Sequence, residues 1–110
     1  MEFIKGDSIE LEVTANTSIA DWKIRAEFYD TDGHSVQLAT ENAGGTAGQI
    51  SIDNVSSGIF TINVPKDLTA DFNDQSYMEI EREYNDKKLT IFQSPITMKD
   101  QKITWESPSN

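Results

Sequence analysis

Glu79, Glu81 and Glu83 stand at alternate positions, so in an extended chain their carboxylates share one face at spacings of about 7 Å. Carboxylate pairs about 5 to 9.5 Å apart perform glycoside hydrolysis, one as acid and the other as nucleophile or base. No cleft-forming residues accompany these acids, and Lys23, Arg25 and Lys88 are available to relieve them, so they read as the solvated outer face of a strand. Asp30-Thr31-Asp32-Gly33 opens like a calcium-binding loop. Counted from Asp30, Asp32 and Glu41 fall at ligand positions, but His34 replaces the next ligand and Ser35 stands where Gly is required. Asp and Gly are also ordinary turn residues, and a turn is the reading taken. His34 is the sole histidine and Cys is absent, which argues against nucleophile–histidine catalysis. The Gly44-Gly45-Thr46-Ala47-Gly48 run lacks the Lys-Ser/Thr of a phosphate loop. No catalytic, cofactor-binding or metal-binding residue is assigned.

Tyr29 and Phe92 are a different matter, because alternation places both on outward strand faces. Aromatic rings on a wet face can stack on a sugar or meet a protein. Tyr29 and Phe92 are therefore the candidate partner-contact residues, while Trp22 and Trp105 read as core or core-edge. Asn16-Thr17-Ser18 and Asn54-Val55-Ser56 match the glycosylation pattern and are read as chance matches, since the N-terminus lacks the pattern of a signal peptide.

The elements that must position these residues follow from period-two alternation. Ile9, Leu11 and Val13 alternate with polar residues, as do Trp22, Ile24, Ala26 and Phe28. Such runs recur about every dozen residues between Gly, Asn, Asp and Pro, which predicts an all-β antiparallel sandwich. Residues 3–5 and 9–14 read as a first strand pair through Gly6-Asp7-Ser8. Residues 22–29 and 36–38 read as a hairpin over Gly33, and residues 49–53 as a strand with Ile50 and Ile52 inward. Residues 59–64 put Phe60, Ile62 and Val64 on one face until Pro65 stops them. Residues 66–72 read as one short helical turn, and residues 42–48 as the most mobile loop. Asn85-Asp86 is a two-residue hairpin loop joining residues 77–84 to 87–93. That loop fixes a register in which Ile80 faces Ile91, Arg82 faces Leu89, Glu83 faces Lys88 and Glu79 faces Phe92. Trp22, Ile24, Met78, Ile80, Leu89 and Ile91 are then expected inside. Residues 96–98 and 103–105 read as a final strand or strand pair.

With 110 residues there is room for one domain, placed at 1–106, with 107–110 as a flexible tail. Nine Lys and Arg against 19 Asp and Glu give a formal net charge of −10, which repels nucleic-acid phosphates and anionic lipid. Absence of Cys rules out disulfides and suits a protein made in a reducing cytoplasm. Without an apolar leader or any run of about 18 apolar residues, a soluble chain with no membrane partner is expected.

The order of these pieces resembles a known family. Phe3-Ile4-Lys5-Gly6-Asp7-Ser8, the strand closed by Asp30-Thr31-Asp32-Gly33, Gly58-Ile59-Phe60-Thr61-Ile62-Asn63-Val64-Pro65-Lys66, Leu68-Thr69 and the strand at 77–83 hairpinned to Leu89-Thr90-Ile91 are the carriers. Over residues 3–98 they look like the immunoglobulin-like domain of tailed-phage structural proteins, similar to the N-terminal domain of phage baseplate upper proteins. The resemblance implies an immunoglobulin-like β-sandwich without catalytic residues or cofactors. It implies a tail or baseplate module of a phage or prophage, made in the host cytoplasm, whose partners are other tail or baseplate proteins or copies of itself. The alternative is a small sandwich that binds a glycan or host surface through a face including Tyr29 and Phe92.

Overall fold

Where apolar residues alternate with polar ones, one side of a strand must be covered, and here two sheets cover each other. A computed structural model of the chain describes residues 2–5, 7–66 and 70–99. The larger sheet is built from β1 (Glu2–Ile4), β3 (Lys23–Asp30), β4 (Ser35–Ala39), β7 (Gln75–Tyr84) and β8 (Lys87–Lys99), in the order β1-β8-β7-β3-β4. The smaller holds β2 (Ile9–Thr14), β5 (Ile50–Asn54) and β6 (Ile59–Val64), in the order β2-β6-β5. Ile24, Ala26, Phe28, Met78 and Ile80 from one sheet meet Ile50, Phe60, Ile62 and Val64 from the other in one buried cluster. The alternation predicts the two-sheet sandwich, and this strand order is that of the immunoglobulin-like sandwich which the resemblance implies.

The turn chemistry also holds. Asn85 and Asp86 both take positive φ, 51° and 61°, which is what a primed two-residue hairpin turn requires. Gly33 supplies φ 92° to the β3–β4 turn.

Three local expectations are corrected. Residues 3–5 and 9–14 do not pair: β1 lies parallel to β8, with Phe3 opposite Met98, while β2 pairs antiparallel with β6. β1 and β2 belong to different sheets, and Phe3 enters the core with its ring centroid 6.3 Å from that of Phe28. Second, β8 runs unbroken through Pro95 into the stretch read as a separate strand at 96–98. It is an edge strand there, where proline is tolerated. Third, Ile52 is 40% exposed, because β5 is itself an edge strand and its pairing shifts register between Ile52 and Asn54. A 3-10 turn at Glu41–Ala43, not foreseen from the sequence, stands at the head of the Gly-rich stretch.

Polar side chains organise that stretch. Thr40 Oγ1 accepts from the Ile24 amide at 3.2 Å, and Asn42 Nδ2 donates to the Trp22 carbonyl at 3.1 Å. Gln49 Oε1 accepts from the amides of Ala39 and Thr46, each at 3.2 Å. The helical turn expected at 66–72 includes residues 67–69, and Trp105, the strand at 103–105 and the tail at 107–110 also lie outside the described residues.

Candidate interaction surfaces

The Asp30 turn is held by its own carboxylate. Oδ1 accepts from the Asp32 amide at 3.0 Å and the His34 amide at 2.8 Å. Oδ2 accepts from the Asn73 amide at 3.0 Å and lies 2.7 Å from His34 Nδ1. Burial opposes ionisation of Asp30, but the Asn73 amide, the His34 ring and the other donors outweigh it and lower its pKa to about 2. His34 is half exposed yet stacks on buried Phe72 at 6.1 Å between ring centroids. Asp30 thus ties the β3–β4 turn to residues 72–75, and its acidity serves this linkage. Among the described residues no group of three or more His, Asp and Glu side chains is placed to hold a metal.

On the outer face of the larger sheet the three glutamates lie as alternation requires, and each has partners. Arg25 faces Glu81 across the sheet and donates through Nη1 to Glu81 Oε1 at 3.4 Å and Glu83 Oε1 at 3.1 Å. Lys23 faces Glu83. Glu79 Oε1 accepts from the Tyr29 hydroxyl at 3.1 Å and from Gln93 Nε2 at 2.6 Å. Tyr29 is outward-facing, as expected, and stacks on Tyr77, ring centroids 5.4 Å apart and planes 24° apart. Burial first, then the hydrogen bond to Glu79 and its charge, raise the Tyr29 pKa above the ordinary tyrosine value, so its hydroxyl stays a donor at neutral pH.

Phe92 sits on the other side of that sheet. The register is regular from Tyr84–Lys87 to Glu81–Thr90 and then shifts, so Ile80 faces Phe92 and Glu79 faces Gln93. Ile91 is the extra residue of a β-bulge. The expected pairs Arg82–Leu89 and Glu83–Lys88 are present, whereas Ile80–Ile91 and Glu79–Phe92 are replaced. A one-residue shift sends every later side chain to the opposite face. Phe92 therefore turns toward the sandwich interior, and Tyr29 and Phe92 do not share a surface.

The interior is open at that place. Phe92 lines a groove of about 370 Å³ with Leu11, Val13, Met78 and Ile80. β7 and β8 are ten and 13 residues long, while no strand of the smaller sheet exceeds six, so the hairpin end projects past its cover. Leu89, expected inside, is 52% exposed for this reason, and Phe92 is 38% exposed. Among the described residues nothing pairs with the outer edge of β8 before Thr97, where β1 begins to cover it.

Sequence reasoning missed two further features. Arg82 lies with its guanidinium 5.1 Å from the Trp22 ring centre, a cation–π contact at the sandwich mouth. Tyr77 joins Tyr29, and its signal was legible as a third aromatic on an alternating strand. No helix among the described residues is long and apolar enough to cross a membrane. Comparison of the chain with protein-family models and with curated protein sequences finds no match.

Proposed function

We propose that this chain is a non-catalytic structural module of a phage or prophage tail or baseplate, acting by protein–protein contact in the virion. The phage assignment rests on the resemblance over residues 3–98, which called for the immunoglobulin-like sandwich described above. The contact assignment rests on one observation: among the described residues the outer edge of β8 before Thr97 is uncovered, beside an apolar groove whose rim is Phe92. Such an edge receives an extended segment through main-chain hydrogen bonds, while the adjacent groove takes an apolar side chain. Lys87, Lys88, Pro95 and the bulge at Ile91 are features that disfavour indiscriminate edge pairing. They leave the contact to a partner with matching side chains, whether another tail or baseplate protein or a second copy. The acids that first suggested hydrolysis are instead engaged by Arg25, Tyr29 and Gln93.

The contact is tested by light scattering after size exclusion across a salt series. A net charge of −10 opposes self-association at low salt, and screening relieves that repulsion while apolar burial persists. Association should rise with salt in the wild type and be lost in Phe92→Ser. Association unchanged by Phe92→Ser excludes this groove as the interface.

A further inference from the structure

The outward face of the larger sheet holds an aromatic row that the edge contact does not use. Tyr29, Tyr77 and Pro95 face one another across β3, β7 and β8. With Gln93 and Ser94 they line a shallow hollow of about 390 Å³, within the size range of small-ligand sites. In the adjacent row Glu27, Glu79 and Gln93 face one another. There Glu79 is fixed by two donors, Tyr29 and Gln93, without any ligand. Apolar rings next to prearranged carboxylate, amide and hydroxyl groups match a pyranose, which has an apolar C–H face and a hydroxyl rim. Prearrangement matters because the ordering cost has been met before the ligand arrives.

Charge narrows the ligand. Glu79 accepts hydrogen bonds from Tyr29 and Gln93 of the hollow's lining and Glu27 faces Glu79 in the same row, while Arg25 is engaged by Glu81 and Glu83. Uronates, sialic acids and phosphorylated sugars are repelled by such a surface. We infer that this face carries a binding site for a neutral pyranose of a glycan, seated on Tyr29, Tyr77 and Pro95 and oriented by Glu79 and Gln93. The inference does not depend on the groove at Phe92, which lies on the other side of the sheet.

The test is saturation-transfer and amide-shift NMR on the full chain. Its probes are the methyl glycosides of glucose, galactose, N-acetylglucosamine and rhamnose, with glucuronate as the anionic comparison. At least one neutral glycoside should saturate, with shifts centred on Tyr29, Tyr77 and Gln93, and glucuronate should not. Tyr77→Ala should weaken binding by about tenfold through lost stacking, and Gln93→Ala by about fivefold through a lost hydrogen bond. Gln93 is an exposed side chain, so that variant keeps the test valid if Tyr77→Ala misfolds. Phe92→Ser should bind the glycoside as the wild type does. The inference is overturned if no neutral glycoside saturates, if glucuronate binds as well, or if binding survives Gln93→Ala unchanged.

Discussion

Asp30→Asn is nearly isosteric, yet it removes the carboxylate on which four donors converge. An amide keeps one oxygen, so the NH₂ group must confront either the Asp32 and His34 amides or the Asn73 amide and the His34 ring. At least one buried donor then loses its acceptor, and the link between the β3–β4 turn and residues 72–75 weakens. The pH dependence has a definite sign. Asp30 has a folded pKa of about 2 against 3.8 for an ordinary Asp, so between these values the unfolded chain binds the proton more readily. Its stabilising contribution is complete above the unfolded pKa and is lost as pH falls through about 2. Over that window wild-type unfolding should take up as much as about one proton more than unfolding of the variant. Urea unfolding followed by tryptophan fluorescence, repeated from neutral pH downward on both proteins, measures this difference. The variant should be less stable at neutral pH, and the gap should close toward pH 2. A gap that stays constant across the series, or equal stability at neutral pH, refutes the role given to Asp30.

Phe60 is fully buried between the sheets, so Phe60→Ala should cost about 3–5 kcal/mol in the same urea assay. Gly58 has φ 74°, and a Cβ there would lie 2.2 Å from the Thr17 carbonyl oxygen; Gly33 has φ 92° with open space around it. Gly58→Ala should therefore cost about 2–3 kcal/mol and Gly33→Ala only about 1 kcal/mol, and equal losses would show that the turn at 55–58 can yield. A double-mutant cycle on Arg25 and Glu81 should return a coupling of about 0–1 kcal/mol, since this pair faces solvent. A value well above that range would mean the outer face is covered.

Fold class was legible because it depends on local signals: alternation, Gly33 in one hairpin, Asn85-Asp86 in another, Pro65 ending β6. What escaped depends on pairings between distant segments. Nothing near Asp30 in the chain announces the Asn73 amide 43 residues away. That β1 joins the larger sheet while β2 joins the smaller is decided by where Phe3 finds cover, at Phe28, and not by the turn residues. The bulge at Ile91 did leave a trace, since Ile91-Phe92 breaks the alternation of β8. Assuming a regular register there assigned Phe92 to the wrong face, so the candidate surface of Tyr29 and Phe92 divides into a groove and an aromatic row.

A virion role is tested most directly by finding the chain in the particle. Phage particles induced from the strain that encodes it, purified and analysed by quantitative mass spectrometry, should contain this protein at a fixed copy number relative to the other tail proteins. Hydrogen exchange should then show the backbone amides of residues 89–94 protected in the particle relative to the isolated chain. Particles that assemble and infect without this protein, or that lack it altogether, would contradict the proposed function.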